Sequence, residues 1–176
     1  MDFIDNVNVT LKDDLALELQ KGSMLSIVAA DFSMYAFEAL RKELSEIEEL
    51  RFIFTDPTFI QKENSKKEKR EFYIPKINRE RRIYGTEFEV KLRNELNQKA
   101  IAKECAEWIK KKVTFKSNVG NKEITTRFIV LDDIAYYTVN SFTTVDLGCE
   151  QGNTMSVRIA KFESPMSQAL IEQFTE

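Results

Sequence analysis

Three side chains in the segment EITTRFIVLDD, residues 123–133, have the types and the spacing of a phosphate contact. Thr125, Arg127 and Asp132 form the pattern T-x-R-x-x-x-x-D on a run of strand-forming residues. A threonine hydroxyl attacks phosphorus only when a base activates it, and the chain contains no histidine. Because Arg127 stays charged at physiological pH, its guanidinium can hold a phosphate but cannot donate a proton. From these residues alone, the segment is either the strand of a phosphodiester-cleaving site that has lost its nucleophile or only half of a hairpin.

The carboxylates of Asp132 and Asp133 are a second candidate, because paired carboxylates can bind Mg²⁺ or serve as acid and base. Neighbouring residues of a strand point to opposite faces, so these two carboxylates share a site only within a turn. The pair lies between two strand-like runs, residues 123–133 and 134–142, which predicts a hairpin with the aspartates as its turn. A nuclease that depends on carboxylates and Mg²⁺ is the alternative to this polar turn.

Small hydroxyl side chains follow the second run at Ser141, Thr143 and Thr144. Hydroxyl groups at the end of a strand can cradle a phosphate, and they can also cap the turn that follows. Both uses are open from the sequence.

Positive charge is concentrated in the middle of the chain. Residues 62–122 carry 18 Lys or Arg and 9 Asp or Glu, although the whole chain has a net charge of −3. Tyrosines flank the arginines of this segment, a combination typical of nucleic-acid-binding surfaces. The predicted nucleic-acid contacts are Arg79, Arg81, Arg82, Lys116 and Arg127. The alternative is that the basic residues form ion pairs with the acidic flanking segments, or only occupy the solvent-facing sides of helices.

The composition excludes several classes of active site. Without histidine the chain has no Ser/His/Asp triad, no Cys/His dyad and no His-ligated metal. Two cysteines, Cys105 and Cys149, are too few for a disulfide framework or a zinc site. The glycine-rich patterns of nucleotide-phosphate loops are also absent. Carboxylate-only Mg²⁺ sites and a lysine nucleophile are not excluded by composition, but we predict no catalytic residue, no metal site and no cofactor within this chain.

The chain reads as a cytoplasmic protein without a membrane partner. No apolar run approaches the roughly 18 residues that a membrane-spanning helix needs. The N-terminal residues MDFIDNVNVT lack the basic and apolar regions of a signal peptide.

The elements that must position these side chains follow from the hydrophobic pattern. Two continuous apolar runs, residues 24–32 and 50–55, have the length of buried strands. Between them Ser33 is placed to cap a helix over residues 34–47, which predicts a βαβ unit with parallel strands. Further along, the pattern predicts a helix over residues 86–112, a strand over residues 113–117 and a helix that begins near residue 166.

The predicted fold is α/β (α+β), with a mixed, largely parallel sheet flanked by helices. A single domain over residues 1–176 is expected, because this length is enough for one core of ordinary size. The highly charged run QKENSKKEKR, residues 61–70, is predicted to be a solvated loop.

Much of the chain resembles the N-terminal region of bacterial Swi/Snf-type (superfamily two) helicases, a phospholipase-D-like module that precedes the ATPase lobes. The resemblance is carried by VAADFSMYAFEALRKEL, LRFIFTDPTFI, REFYIPKINRERRIYGTEFEVKLRNELNQKAIAKECAEWIKKKVTFKSN and VNSFTTVDLG. The phospholipase-D-like motif is H-x-K-x-x-x-x-D followed by a Gly-Ser element. When its Asp is set on Asp132, Arg127 falls at the lysine position and Thr125 at the histidine position. Ser141 then falls near the Gly-Ser element, so the resemblance implies one phospholipase-D-like half with a degenerate active-site motif.

This resemblance implies a non-catalytic nucleic-acid-binding accessory module of a bacterial ATP-dependent helicase. The helicase lobes are expected C-terminal to this segment and outside it, so ATP and Mg²⁺ are expected only there. The implied partners are DNA or RNA and the protein's own helicase lobes. Because a full phospholipase-D-like site needs two copies of the motif, a second chain could supply the other copy in a homodimer. A dimerisation or partner-recruiting assembly module of the same helicase is the alternative function.

Overall fold

The computed structural model describes residues 1–55, 60–61, 72–73, 95–117, 124, 126–149 and 158–175, with the backbone alone at 60–61, 72–73 and 95–98. The described strands are β1 (Asp2–Ile4), β2 (Met24–Ala29), β3 (Glu49–Phe54), β4 (Ile60–Gln61), β5 (Phe72–Tyr73), β6 (Val113–Ser117), β7 (Phe128–Leu131), β8 (Ile134–Tyr137) and β9 (Ile159–Phe162). The described helices are α1 (Leu11–Glu18), α2 (Met34–Ala39), α3 (Arg41–Glu46), α4 (Glu95–Lys112) and α5 (Gln168–Thr175).

Seven of these strands form one mixed sheet in the order β1-β9-β8-β7-β2-β3-β6. β2 pairs in parallel with β3, and β3 pairs in parallel with β6, whereas the other four pairings are antiparallel. The prediction of a mixed sheet with helices is confirmed, but the prediction that the sheet is largely parallel is wrong. The antiparallel half consists of the β7–β8 hairpin together with β1 and β9. These last two strands are short, and no long apolar run in the sequence predicts them.

The predicted βαβ unit is present, but its helix is interrupted. The Ser33 hydroxyl accepts a hydrogen bond from the backbone N–H of Tyr35 (3.1 Å) and so caps α2, as expected. α2 and α3 are separated at Leu40, whose φ of −117° and ψ of 20° lie outside the helical region. Leu40 and Leu44 are both fully buried, so the core contacts continue across the break. The prediction of one continuous helix over residues 34–47 is therefore wrong.

Helices α1 to α4 cover one face of the sheet, here called the inner face, and α5 packs on the opposite, outer face. The inner core centres on Phe32, whose ring contacts those of Phe52, Trp108, Phe115 and Phe142. The smaller outer core consists of Val28, Phe128, Val130 and Ala135 from the sheet, with Leu170, Ile171 and Phe174 from α5. The inner face therefore holds most of the buried apolar surface in the part of the chain that the structure describes.

The long helix and the strand after it are confirmed where they are described. α4 and β6 follow the predicted boundaries at Lys112, and residues 86–94 of the predicted helix lie outside the described residues. The Trp108 indole N–H donates to the Leu44 carbonyl (2.9 Å), and the Lys112 ammonium donates to the Ile47 carbonyl (2.6 Å). These two bonds fasten the C-terminal half of α4 to α3 and to the turn that follows it.

Two further predictions concern the charged loop and the membrane. Gln61 belongs to β4, which pairs with β5, and residues 62–70 of the predicted loop lie outside the described residues. None of the described helices is both long enough and apolar enough to cross a membrane.

Candidate nucleic-acid interface

The strand that carries the predicted motif is shorter than expected. β7 begins at Phe128, so Arg127 lies one residue before the strand, and Thr125 lies outside the described residues. The partner strand β8 ends just before Thr138, whose φ of 74° turns the chain away. The Thr138 N–H still donates to the Arg127 carbonyl (3.2 Å), which closes the hairpin at this point. The prediction of a strand over residues 123–133 is therefore wrong in its extent.

The predicted turn of two aspartates between β7 and β8 is confirmed. Asp132 has a φ of 49°, a left-handed conformation that aspartate adopts more readily than most residues. Its carboxylate accepts a hydrogen bond from the Met24 N–H (2.9 Å), and its own N–H donates to the Met24 carbonyl (3.1 Å). Asp132 therefore fastens the turn to the beginning of β2. Within the described part of the chain, no group of three or more Asp, Glu or Cys residues is arranged to hold a metal ion.

Arg127 and Asp132 lie at opposite ends of β7. They are five positions apart, so at about 3.3 Å per residue their Cα atoms are roughly 16 Å apart. Side chains at this separation cannot hold one phosphate group together. The T-x-R-x-x-x-x-D spacing therefore does not assemble a compact site from these two residues.

Ser141 lies at the carboxyl end of β2, next to a carboxylate. Its hydroxyl, in a residue that is only 8% exposed, donates to Oδ2 of Asp31 (3.2 Å). The Ala30 N–H donates to the Asn140 carbonyl (3.0 Å), and the Phe142 N–H donates to the Asp31 carbonyl (2.8 Å). This segment therefore runs alongside the end of β2. Asp31 was not among the predicted site residues, although its position after a parallel strand is a signal for a ligand-facing side chain.

Arg127 shares this edge of the sheet. The antiparallel pairing of β2 with β7 places Arg127 beside Ala29, close to the end of β2 that carries Asp31 and Ser141. We call Asp31, Arg127 and Ser141 the carboxyl-edge cluster. The Asp31 carboxylate would repel a phosphate, so within this cluster only the guanidinium of Arg127 supplies attraction for one.

The hydroxyl groups after Ser141 serve local structure. The Thr143 hydroxyl donates to Oδ2 of Asp146 (2.8 Å) and accepts from the Asp146 N–H (3.3 Å). Thr144 is 1% exposed. For Thr143 the capping interpretation is therefore confirmed.

The two predicted cationic contacts that the structure describes, Lys116 and Arg127, lie apart from each other on the sheet. Lys116 is exposed on the outer face of β6, directly opposite Ile53 in the pairing with β3. Arg127 comes one residue before Phe128, at the end of β7 that lies beside the end of β2. Two strands, β2 and β3, separate the two cations. Arg79, Arg81 and Arg82 lie outside the described residues.

An exposed row of lysines runs along α4. Lys99, Lys103 and Lys110 are four and seven residues apart, which places them on one side of the helix, and all three are exposed. The opposite side of α4 carries the buried Cys105 and Trp108. At 1.5 Å per residue the row is roughly 16 Å long. We call these three residues the lysine row. They belong to the basic segment noted in the sequence, but they were not predicted to form one surface.

Acidic neighbours only partly offset this row. Glu104 forms an ion pair with Arg41 (2.8 Å) between α4 and α3, so its charge is already compensated. Glu107 lies beside the row and is exposed. Lys103 and Lys110 therefore supply exposed positive charge along this side of α4, which Glu107 offsets in part.

Cys105 is a core residue and not a nucleophile. Burial raises the pKa of its thiol to about 12, so the thiolate that would react is not formed at neutral pH.

No protein-family model matches this chain, and no curated protein matches it at a significant level of similarity. The resemblance to the phospholipase-D-like module of helicases therefore rests on the sequence patterns given above and stays a prediction.

Proposed function

We propose that this chain is a non-catalytic nucleic-acid-binding module that contacts phosphate backbones through the lysine row of α4. The observation that carries the proposal is the position of Lys99, Lys103 and Lys110 on the solvent side of α4, opposite its buried side. A helix that is packed along one side presents the cations of its other side in a fixed line. Such contacts bind phosphates with little dependence on base sequence.

The absence of cleavage in this proposal follows from the chemistry of the available groups. Arg127 stays charged and cannot protonate a leaving oxygen, and the chain has no histidine for that role. Ser141 is 8% exposed and hydrogen-bonded to Asp31, so its hydroxyl is poorly placed to attack a substrate.

A finer proposal concerns the parent protein. We propose that the domain is a phospholipase-D-like half and works beside the lobes of a cytoplasmic ATP-dependent helicase. The long similar stretches of sequence support this, and a mixed sheet with helices on both faces is compatible with it. In that arrangement the module holds DNA or RNA while the lobes, which bind ATP and Mg²⁺, do the mechanical work.

The proposal predicts DNA binding that weakens steeply with salt and depends on the lysine row. Fluorescence anisotropy would be measured with single-stranded and duplex DNA at several salt concentrations. We expect Lys103→Ala combined with Lys110→Ala to weaken binding roughly ten-fold at low salt. The slope of log affinity against log salt should fall by about two, because two phosphate contacts are removed.

A matched control removes two lysines from elsewhere on the same face of the sheet. Lys12 lies on α1 and Lys21 follows it, over the half of the sheet that is distant from α4. Lys12→Ala combined with Lys21→Ala changes the net charge equally and should leave the salt slope unchanged. Equal losses in both double variants would show that net charge, and not the lysine row, governs binding.

A second candidate function, dimerisation, is favoured by the edge strand β1. Phe3, on the outer face of this last strand of the described sheet, is 61% exposed. It lies in one cross-strand row with Ala160 and with Tyr137, which is 41% exposed. Antiparallel pairing of two β1 strands about a two-fold axis brings two Phe3 rings opposite each other and extends this row.

Sedimentation equilibrium tests this candidate. We expect the wild-type chain to sediment with the mass of a dimer and Phe3→Lys with the mass of a monomer. Val7→Lys is the control, because Val7 is 75% exposed and lies outside β1. A monomeric wild-type chain would remove dimerisation as a function.

A further inference from the structure

Arg51 is a half-buried cation without an acidic partner among the residues that the structure describes. On the outer face of β3, its Nη2 donates to the Ser26 hydroxyl (2.9 Å), and its guanidinium carbon lies 4.9 Å from the ring centre of Phe174. Its Nε is buried and makes no hydrogen bond to a described residue. No described carboxylate forms an ion pair with this guanidinium. Burying a charge without a counter-ion costs free energy, so a bound anion would stabilise Arg51 in this position.

A second cation lies next to Arg51. In the pairing of β3 with β6, Thr114 is directly opposite Arg51, and Lys116 is two residues further along the same face of β6. Such diagonal neighbours have Cα atoms about 7–8 Å apart, which is within reach of two long side chains. Lys116 is exposed. The Arg51 guanidinium and the Lys116 ammonium can therefore face one small ligand.

The other described charged residues near Arg51 lie away from the side of its guanidinium that faces Lys116. Glu49 is two residues before Arg51, on the side away from Lys116, and accepts a long hydrogen bond from the Thr114 hydroxyl (3.4 Å). On α5, Glu172 is exposed, whereas Phe174 of the same helix packs against the guanidinium. The aromatic ring excludes water from one side of the guanidinium, which strengthens the attraction of Arg51 for an anion.

We infer that Arg51 and Lys116 form a binding site for a phosphate-type oxyanion on the outer face of the sheet, with Phe174 as its apolar wall. Nη2 is held by Ser26, and Nη1 has no hydrogen-bond partner among the described residues, so it is the donor that meets an anion oxygen. Lys116 supplies a mobile second charge that can follow a second oxygen. A phosphate dianion matches this pair better than a carboxylate, because it carries more charge and more acceptor oxygens.

This site is separate from the lysine row. The lysine row lies on a helix of the inner face, whereas Arg51 and Lys116 lie on the outer face. The inference concerns the binding of a single anion, so its test does not depend on whether the chain binds nucleic acid.

Nuclear magnetic resonance titration of the ¹⁵N-labelled chain with inorganic phosphate tests the inference. Chloride would keep the ionic strength constant, and Arg51→Lys would assign the Nε–H resonance of Arg51. We expect that resonance and the amide of Lys116 to shift along one saturable curve. Lys116→Gln, a substitution at an exposed position that the fold tolerates, should raise the phosphate Kd roughly five-fold.

Two further arms make the outcome decisive. Lys103→Gln on α4 should leave the phosphate Kd unchanged, and acetate should bind more weakly than phosphate. The inference is overturned if the Arg51 signal does not saturate with phosphate. It is also overturned if acetate binds as tightly, or if Lys103→Gln raises the Kd as much as Lys116→Gln.

Discussion

Replacing Phe32 with alanine is expected to lower the free energy of unfolding by about 3–5 kcal/mol. Phe32 is fully buried, and its ring centre lies 5.6 Å from those of Phe52 and Phe115 in edge-on contacts. It also stacks on Phe142 at 5.7 Å. Because the surrounding rings are held by two strands and a loop, they cannot close the cavity that alanine would leave.

Urea denaturation followed by fluorescence would measure this loss. Trp108 is the single tryptophan of the chain and stacks on Phe32 at 6.4 Å, so its emission reports on this part of the core. Phe3→Ala is the matched control, because it makes the same chemical change at a residue that is 61% exposed. If the two variants differ in unfolding free energy by less than about 0.5 kcal/mol, the aromatic cluster around Phe32 is not the core of this fold.

The same substitution connects the core to the carboxyl-edge cluster. Phe32 and Phe142 form an isolated parallel β-bridge, and they directly follow Asp31 and Ser141 in the chain. Loss of the Phe32 ring therefore removes the packing that keeps the Asp31 carboxylate within hydrogen-bond distance of Ser141.

The parts of the fold that the sequence predicts are those with strong local signals. Most residues of the runs that became β2 and β3 are apolar, and the two aspartates are a local signal for the β7–β8 turn. β1 and β9 gave no such signal, because each has only three or four residues and is stabilised by a partner more than 150 residues away in the chain. Long-range pairing of this kind cannot be read from a local pattern, so β1 and β9 were missed although the β7–β8 hairpin beside them was predicted.

The candidate site was predicted less well for a related reason. Motif spacing places residues along the chain, but a strand carries Arg127 and Asp132 to opposite edges of the sheet. The residue that meets Ser141 is Asp31, which is 110 positions away. The lysine row was accessible from the sequence, because Lys99, Lys103 and Lys110 repeat with the period of a helix opposite Cys105 and Trp108.

Replacing Lys161 with methionine is expected to lower the free energy of unfolding by about 2–3 kcal/mol, since it leaves two partly buried carboxylates without their cation. The Lys161 ammonium, on the inner face of β9, lies 2.9 Å from Oδ2 of Asp14 and 2.7 Å from Oε1 of Glu18, both on α1. The Tyr136 hydroxyl donates to the same Asp14 carboxylate (2.6 Å). The Lys161 side chain is 10% exposed, whereas Glu18 is 34% exposed, so solvent compensates part of the loss.

A second substitution separates the ion pair from the packing of the side chain. Asp14→Asn removes one of the two carboxylates that Lys161→Met leaves without a cation. The double variant Asp14→Asn with Lys161→Met should therefore recover part of the lost stability. Arg41→Met breaks an exposed ion pair of similar length, with side chains that are 57% and 51% exposed, and should cost much less stability than Lys161→Met. Equal losses of unfolding free energy for Lys161→Met and Arg41→Met would mean that burial of Lys161, Asp14 and Glu18 does not increase the contribution of their ion pairs to stability.

The cluster also makes stability fall at alkaline pH. Burial lowers the pKa of Lys161, but the hydrogen bonds and charges of Glu18 and Asp14 outweigh burial and raise it. Burial, and then the hydrogen bond to Asp14, raise the pKa of Tyr136. A group whose pKa is raised on folding contributes its full stabilisation below its unfolded pKa, about 10 for both side chains, and loses it as the pH rises through the folded pKa. Urea denaturation at several pH values should show the wild type losing stability above about pH 10. Lys161→Met should show a shallower decline, and an identical decline in both proteins would exclude Lys161 as its source.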